Sequence, residues 1–201
     1  LALCQGFFLT NNVVFIAING LVGLQLAPLG WMATLPVTGY VVGSALSAGL
    51  VAKTQSHFGR KRSFQFGLVI AALSAALCAY AAVTKNFWLL VAATVVAGYY
   101  NANATLYRFA GPELVAPEFK ERAISLVLAG GIIGAFAGPN LANATRSVLD
   151  VPFAAAYLSL VGVALLSLAV LSLIRFPEHK TPAPGAASGR PLSEIVRQPV
   201  F

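Results

Sequence analysis

The densest run of side chains with chemistry to offer is Tyr99, Tyr100, Asn101, Asn103, Thr105, Tyr107 and Arg108, closing a stretch that is otherwise apolar from Phe87. At about 100° per residue, Arg108, Asn101, Thr94, Thr105 and Gly98 share one helical quadrant, while Tyr100 and Tyr107 stack on an adjoining face. A guanidinium beside two phenols can hold an anionic or electron-rich planar molecule, the cation by charge and the rings by stacking. A second reading gives Arg108 no ligand: it snorkels to the interface or pairs with Glu113 or Glu121. The spacing predicts one helix running past Arg108 towards Val115, kinked at Pro112.

A second polar group lies near the start of the chain. Gln5, Asn12 and Asn19 recur every seven residues with Phe8 and Phe15 between them, so one helical face is both polar and aromatic. Such a face either bonds neighbouring helices or lines a water-filled cavity. Asn140 belongs with these candidates, just past a bend expected at Gly138 and Pro139. Catalysis has little to work with. Ser44 and Ser47 supply hydroxyls, yet no Asp, Glu or His lies at membrane depth to activate them. Cys4 and Cys78 lack metal-site spacing, so no metal or cofactor is expected, and both read as packing residues.

The elements that position these residues follow from composition. The chain has 201 residues, 58% of them hydrophobic and only 9% charged, far below the quarter or so of charged residues in soluble domains. Apolar runs long enough to cross about 30 Å of hydrocarbon fall at about 1–26, 32–52, 63–84, 87–109, 123–149 and 152–174. Six transmembrane helices are therefore expected over residues 1–175. Residues 176–201 are expected to be a Pro- and Gly-rich cytoplasmic linker that begins an amphipathic helix near Pro191. The first residue is Leu and the last run stops short, which reads as a fragment.

Small residues mark the packing faces. Gly39, Gly43 and Ser47 fall four apart in the second run, and Gly130, Gly131, Gly134 and Gly138 crowd the fifth, spacings that let helices approach closely. Pro139 removes a backbone donor and bends its helix.

Charge gives orientation. The first 52 residues carry no Asp, Glu, Lys or Arg, and then Lys53, Arg60, Lys61 and Arg62 arrive together in an expected cytoplasmic loop. With both chain ends inside, only Lys85 and Arg146 of the 13 Lys and Arg residues fall outside, a strong positive-inside bias. The net charge of +7 is thus topological and calls for no nucleic acid. The expected partners are a lipid bilayer and a small-molecule substrate.

Three stretches resemble the amino-terminal half of a major facilitator superfamily (MFS) transporter. Gly59, Arg60, Lys61 and Arg62 look like the end of that superfamily's loop motif. Gly134, Gly138 and Pro139 are similar to the glycine-proline motif of antiporter members, and Pro117, Glu118 and Arg122 resemble the lead-in to that span. Tyr107 to Ala110, Arg122 to Ser125 and Gly138 to Ala142, with Arg197 to Pro199, look like a bacterial subgroup that includes riboflavin transporters. The resemblance implies an all-α membrane protein, six helices forming one half of an MFS bundle as a 3+3 inverted repeat. It also implies a mid-membrane cavity, a missing carboxy-terminal six-helix half, alternating access, and a bacterial cytoplasmic (inner) membrane, multi-pass. The substrate class implied is a flavin, another aromatic or anionic compound, or a drug. A six-span channel or a half-size transporter acting as a homodimer is the alternative. Two positions depart from the family pattern. Ser56 stands where the loop motif usually has an acid, which alters its charge latch, and Thr94 stands where many members have an Arg.

Overall fold

A computed structural model describes residues 1–146, 148–149 and 151–176, so the expected linker and short helix beyond Phe176 lie outside the described residues. The described residues are helical and connecting segments, without strands. Helix α1 spans Ala2–Leu26, and a 3-10 turn at Gly30–Thr34 leads into α2, Leu35–Val83, which has Pro36 in its first turn. Proline fits there because the first helical N–H groups have no intrahelical acceptor to lose. Helices α3, Phe87–Ala104, and α4, Tyr107–Ala110, follow, then α5, Lys120–Thr145, and α6, Ala154–Leu173. Among the described residues, five helical segments are long and apolar enough to cross a membrane, the one containing α2 being 54 residues long.

The basic stretch from Lys53 to Arg62 is not the irregular loop expected from its charges. It is helical up to Gly59 and again after it, and Gly59 alone breaks the run with φ 78° and ψ 165°. That conformation is open essentially only to glycine. The break folds the chain back on itself: Thr54 Oγ1 and Ser63 Oγ are 3.0 Å apart, whereas nine residues of straight helix would separate them by about 13 Å. One glycine therefore does the work of a loop and makes α2 a helical hairpin with limbs 35–58 and 60–83.

The helical segment that begins with α3 runs on to Leu114, as expected, but not as one regular helix. The helix stops at Ala104, where Leu106 N–H donates to the Asn103 carbonyl in a tighter turn, and Phe109 N–H does the same to Leu106. The backbone then passes through α4 into a second 3-10 turn, Gly111–Leu114. Pro112 has no N–H to continue an α-helical ladder, so the chain leaves it. At the other end of α3 the Asn86 side chain accepts Leu89 N–H at 3.0 Å, an N-cap that follows the tight turn at Lys85.

Packing follows the small residues. Helix α1 lies against α5 and α6, and α2 lies against α3 and α6. On the α1 side of its seam with α5, Ala2, Gly6, Thr10 and Val13 meet Gly130, Gly134 and Gly138, each glycine facing backbone or the root of a side chain. Thr10 Oγ1 donates to the Gly134 carbonyl at 3.2 Å across the seam. Gly39 and Gly43 of α2 meet Thr94, Val95 and Gly98 of α3 in the same way. Both cysteines are buried in the apolar interior and form no disulfide.

Candidate functional site

Helix α1 has four sides. Phe8 packs edge-on against Tyr100, with centroids 5.7 Å apart, and Asn19 accepts the Tyr157 hydroxyl at 2.9 Å, so one broad face meets α3 and α6. The α5 seam occupies another. Of the two remaining arcs, one holds Leu3, Phe7 and Leu21, with Gln25 at the carboxy-terminal end of the helix. The other holds Gln5, Leu9, Asn12 and Ile16, within about 60° of one another at 100° per residue. It lies between α3 and α5, and Ile16 there is 39% exposed.

The tyrosines and Arg108 do not share a face. Tyr100 and Tyr107 are buried, Tyr107 at 0% exposure, and form an aromatic cluster with Phe8 and Phe64; the Phe64 and Tyr107 centroids are 4.7 Å apart. Arg108 is exposed, its guanidinium 4.8 Å from the Phe109 ring. Adjacent helical residues point about 100° apart, so Tyr107 turns inward and Arg108 outward. Glu113, weighed above as a partner for Arg108, instead binds Arg60 at 2.8 Å.

The remaining predicted residues are spread along the bundle. Asn19 is fully buried, and its amide also donates to the Phe15 carbonyl at 2.8 Å, tying it to its own helix as well as to α6. Tyr157→Phe strands the buried Asn19 Oδ1 and should therefore cost about 1–3 kcal/mol, which thermal unfolding of the purified protein in detergent measures. Asn101 Nδ2 donates to Ser44 Oγ at 3.2 Å, bridging α3 and the first limb of α2. Asn140 is exposed; Pro139 leaves the Ala135 carbonyl without its donor, and Asn140 Nδ2 donates to the next carbonyl, Phe136, at 2.8 Å. Arg122 is exposed beside Phe119, its guanidinium 6.0 Å from the ring.

Around Gly59 the cations divide. Arg60 reaches Glu113, Lys61 Nζ donates to the Ser172 carbonyl near the end of α6 at 2.8 Å, and Arg62 is exposed. A cation on the last carbonyls of a helix is favourably placed for both hydrogen bonding and the helix dipole. Gln65 Nε2 adds a bond to Ser172 Oγ at 3.1 Å.

Beside these lies a neutral network that the sequence reading did not assemble. Thr54 Oγ1 is 2.8 Å from the Tyr99 hydroxyl as well as bonded to Ser63, and Gln55 Nε2 donates to Asn103 Oδ1 at 3.1 Å. Asn103 Nδ2 donates to the Ser63 carbonyl at 2.7 Å, with Ser63 and Asn103 both buried. The signal available in the sequence was a pair of small hydroxyl residues nine apart with a glycine between them. It becomes legible only once that glycine is known to reverse the chain.

Long apolar helices joined by glycine seams, with amides and phenols but, among the described residues, no Asp, Glu or His within the apolar helix interiors, define a polytopic helical membrane protein. The Major Facilitator Superfamily model matches residues 1–201, and the chain belongs to that family. It is 34% identical over 203 aligned residues to the Riboflavin transporter RfnT of Brucella anthropi, covering 100% of this chain and 51% of that protein. It also matches two uncharacterized MFS-type transporters of Bacillus subtilis. YdeG is 28% identical over 64% of this chain and 30% of its own length, and YddS is 29% identical over 59% and 27%. The chain thus spans about half the length of the first of these relatives, and less of the other two.

Proposed function

We propose that this chain is the amino-terminal, six-span half of a carrier that moves a planar, hydrogen-bonding solute of the flavin type across a bacterial inner membrane by alternating access. The observation that carries this reading is the 34% identity to a riboflavin transporter along the whole of this chain. The geometry is consistent with it. Counting the two limbs of α2 separately gives six crossings, each limb being about 36 Å long against roughly 30 Å of hydrocarbon. The positive-inside bias then puts both ends of the bundle and the Gly59 reversal on the cytoplasmic side.

In this reading the arc of α1 with Leu3, Phe7 and Leu21 faces lipid, and the arc with Gln5 and Asn12 faces the cavity shared with the second half, because polar side chains at membrane depth turn to helices or water. Asn12 and Asn101 supply hydrogen bonds, Asn19 ties α1 to α6 through Tyr157, and Tyr100 and Tyr107 fix the aromatic wall at Phe8. Asn140 serves at the Pro139 bend. Arg108 holds an anionic solute as it enters.

The test is uptake of riboflavin and of its phosphate ester by vesicles containing the full-length carrier. Riboflavin accumulation is expected over empty vesicles. Arg108→Ala should lower uptake of the phosphate ester about tenfold, a loss typical of one hydrogen bond to a charged group, and leave riboflavin little changed. Equal loss of both solutes, or of neither, removes Arg108 from the site.

A further inference from the structure

We infer that Gln5 contacts the substrate, and that its side-chain oxygen and that of Asn12 form a pair of hydrogen-bond acceptors selecting solutes with N–H or O–H donors about 10 Å apart. The inference rests on the carrier reading above and names what its site recognises.

Gln5 is 7% exposed and its Oε1 has no hydrogen-bond partner among the described residues. Asn12 Oδ1 is buried and unpartnered in the same way. A buried acceptor without a donor is costly, so two of them one heptad apart on one helix ask for an explanation. Two polar members of α1 are satisfied where they touch neighbours: Thr10 bonds Gly6 and Gly134, and Asn19 bonds Phe15 and Tyr157. Interhelical bonding therefore accounts for Thr10 and Asn19 and leaves Gln5 and Asn12 over.

Their placement gives them a common purpose. Both lie on the arc between α3 and α5, and seven residues of helix separate them by about 10 Å along the axis. Leu9 lies between them and supplies an apolar floor. Helix α5 leaves room for the arrangement, because a Cβ at Gly131 would stand 2.8 Å from Leu9 Cδ1 and 3.3 Å from Gln5 Cγ. Two acceptors separated by an apolar surface suit a flat, largely uncharged heterocycle with a donor at each end. A flavin has an imide N–H on its ring and hydroxyls on its side chain, and both are donors.

The experiment uses the full-length carrier in proteoliposomes with riboflavin, its N3-methyl derivative, which lacks the imide N–H, and lumiflavin, which lacks the hydroxylated chain. The wild type is expected to prefer riboflavin over each analogue about tenfold, the effect of one hydrogen bond of about 1.4 kcal/mol. Gln5→Met and Asn12→Leu keep side-chain size while removing the acceptor. One should abolish the preference over the N3-methyl derivative and the other the preference over lumiflavin. Variants that lower uptake of all three solutes in proportion, or that leave both preferences intact, overturn the inference while riboflavin uptake still upholds the carrier. A wild type without either preference overturns it too. A wild type that takes up no riboflavin sinks the carrier reading and the inference with it.

Discussion

Gly134→Ala is expected to destabilise the bundle by about 3 kcal/mol, the upper end of the usual cost of overpacking, and to lower the yield of folded protein. The reason is where the new methyl would go. At Gly134 a Cβ would run into the Gly6 carbonyl, and Gly130 faces the Ala2 backbone in the same manner. A flexible side chain could swing aside, but a helix backbone can move only as a unit. Relief therefore means parting α1 from α5 along several turns and losing the bond from Thr10 Oγ1 to the Gly134 carbonyl. Lipid offers no hydrophobic force to press the helices together again, so close packing is what holds this seam.

The control is Gly162→Ala on α6, where an added Cβ meets nothing within 4 Å. That change should be neutral or stabilising by up to about 1 kcal/mol, since alanine is the better helix former. Heat challenge in detergent followed by size-exclusion chromatography measures both variants. Equal behaviour of the two would show that the seam tolerates separation.

The contrast between these glycines marks what could be read from sequence. Runs of apolar residues located α1, α3, α5 and α6 to within a few residues, because crossing hydrocarbon imposes a length and forbids charge. The four-residue spacing of Gly130, Gly134 and Gly138 signalled close approach, but not that Ala2, Gly6 and Thr10 were the other side of it. Pairing between helices distant in sequence is set by the whole bundle. Charge misled at Lys53 to Arg62: basic residues locate a segment relative to the membrane and leave its backbone free to be helical. Helical periodicity misled between Asn101 and Arg108 for the opposite reason. It assumed a constant 100° per residue through a stretch where the turn at Thr105 and Leu106 resets the rotation. Tyr107 and Arg108, neighbours about 100° apart, lie on different sides, the tyrosine buried against Phe64 and the arginine exposed, and the polar arc of α1 gains weight as a place for a ligand.

Asn103→Leu is expected to cost about 2 kcal/mol, and Arg60→Ala less than about 1 kcal/mol, although both disturb the turn at Gly59. The Arg60 to Glu113 pair is 33% and 43% exposed, and ion pairs so open to solvent are usually worth little and weaken further in salt. Asn103 is buried, and Gly67 packs against it so closely that a Cβ there would stand 3.0 Å from Nδ2. Leucine at 103 would strand the Ser63 carbonyl and the Gln55 amide, both bonded to the Asn103 side chain, and unmet polar groups cost about 1–3 kcal/mol. The hairpin is thus held chiefly by neutral hydrogen bonds, at the very turn where Ser56 replaces the acid that the family resemblance leads one to expect. Raising salt from 50 mM to about 1 M shortens the screening length to about 3 Å, so wild-type thermal stability should hardly change, whereas a charged latch would loosen. Thermal unfolding of the wild type and both variants at the two salt concentrations measures this directly. A large loss in Arg60→Ala that salt reproduces in the wild type would return the latch to its charges.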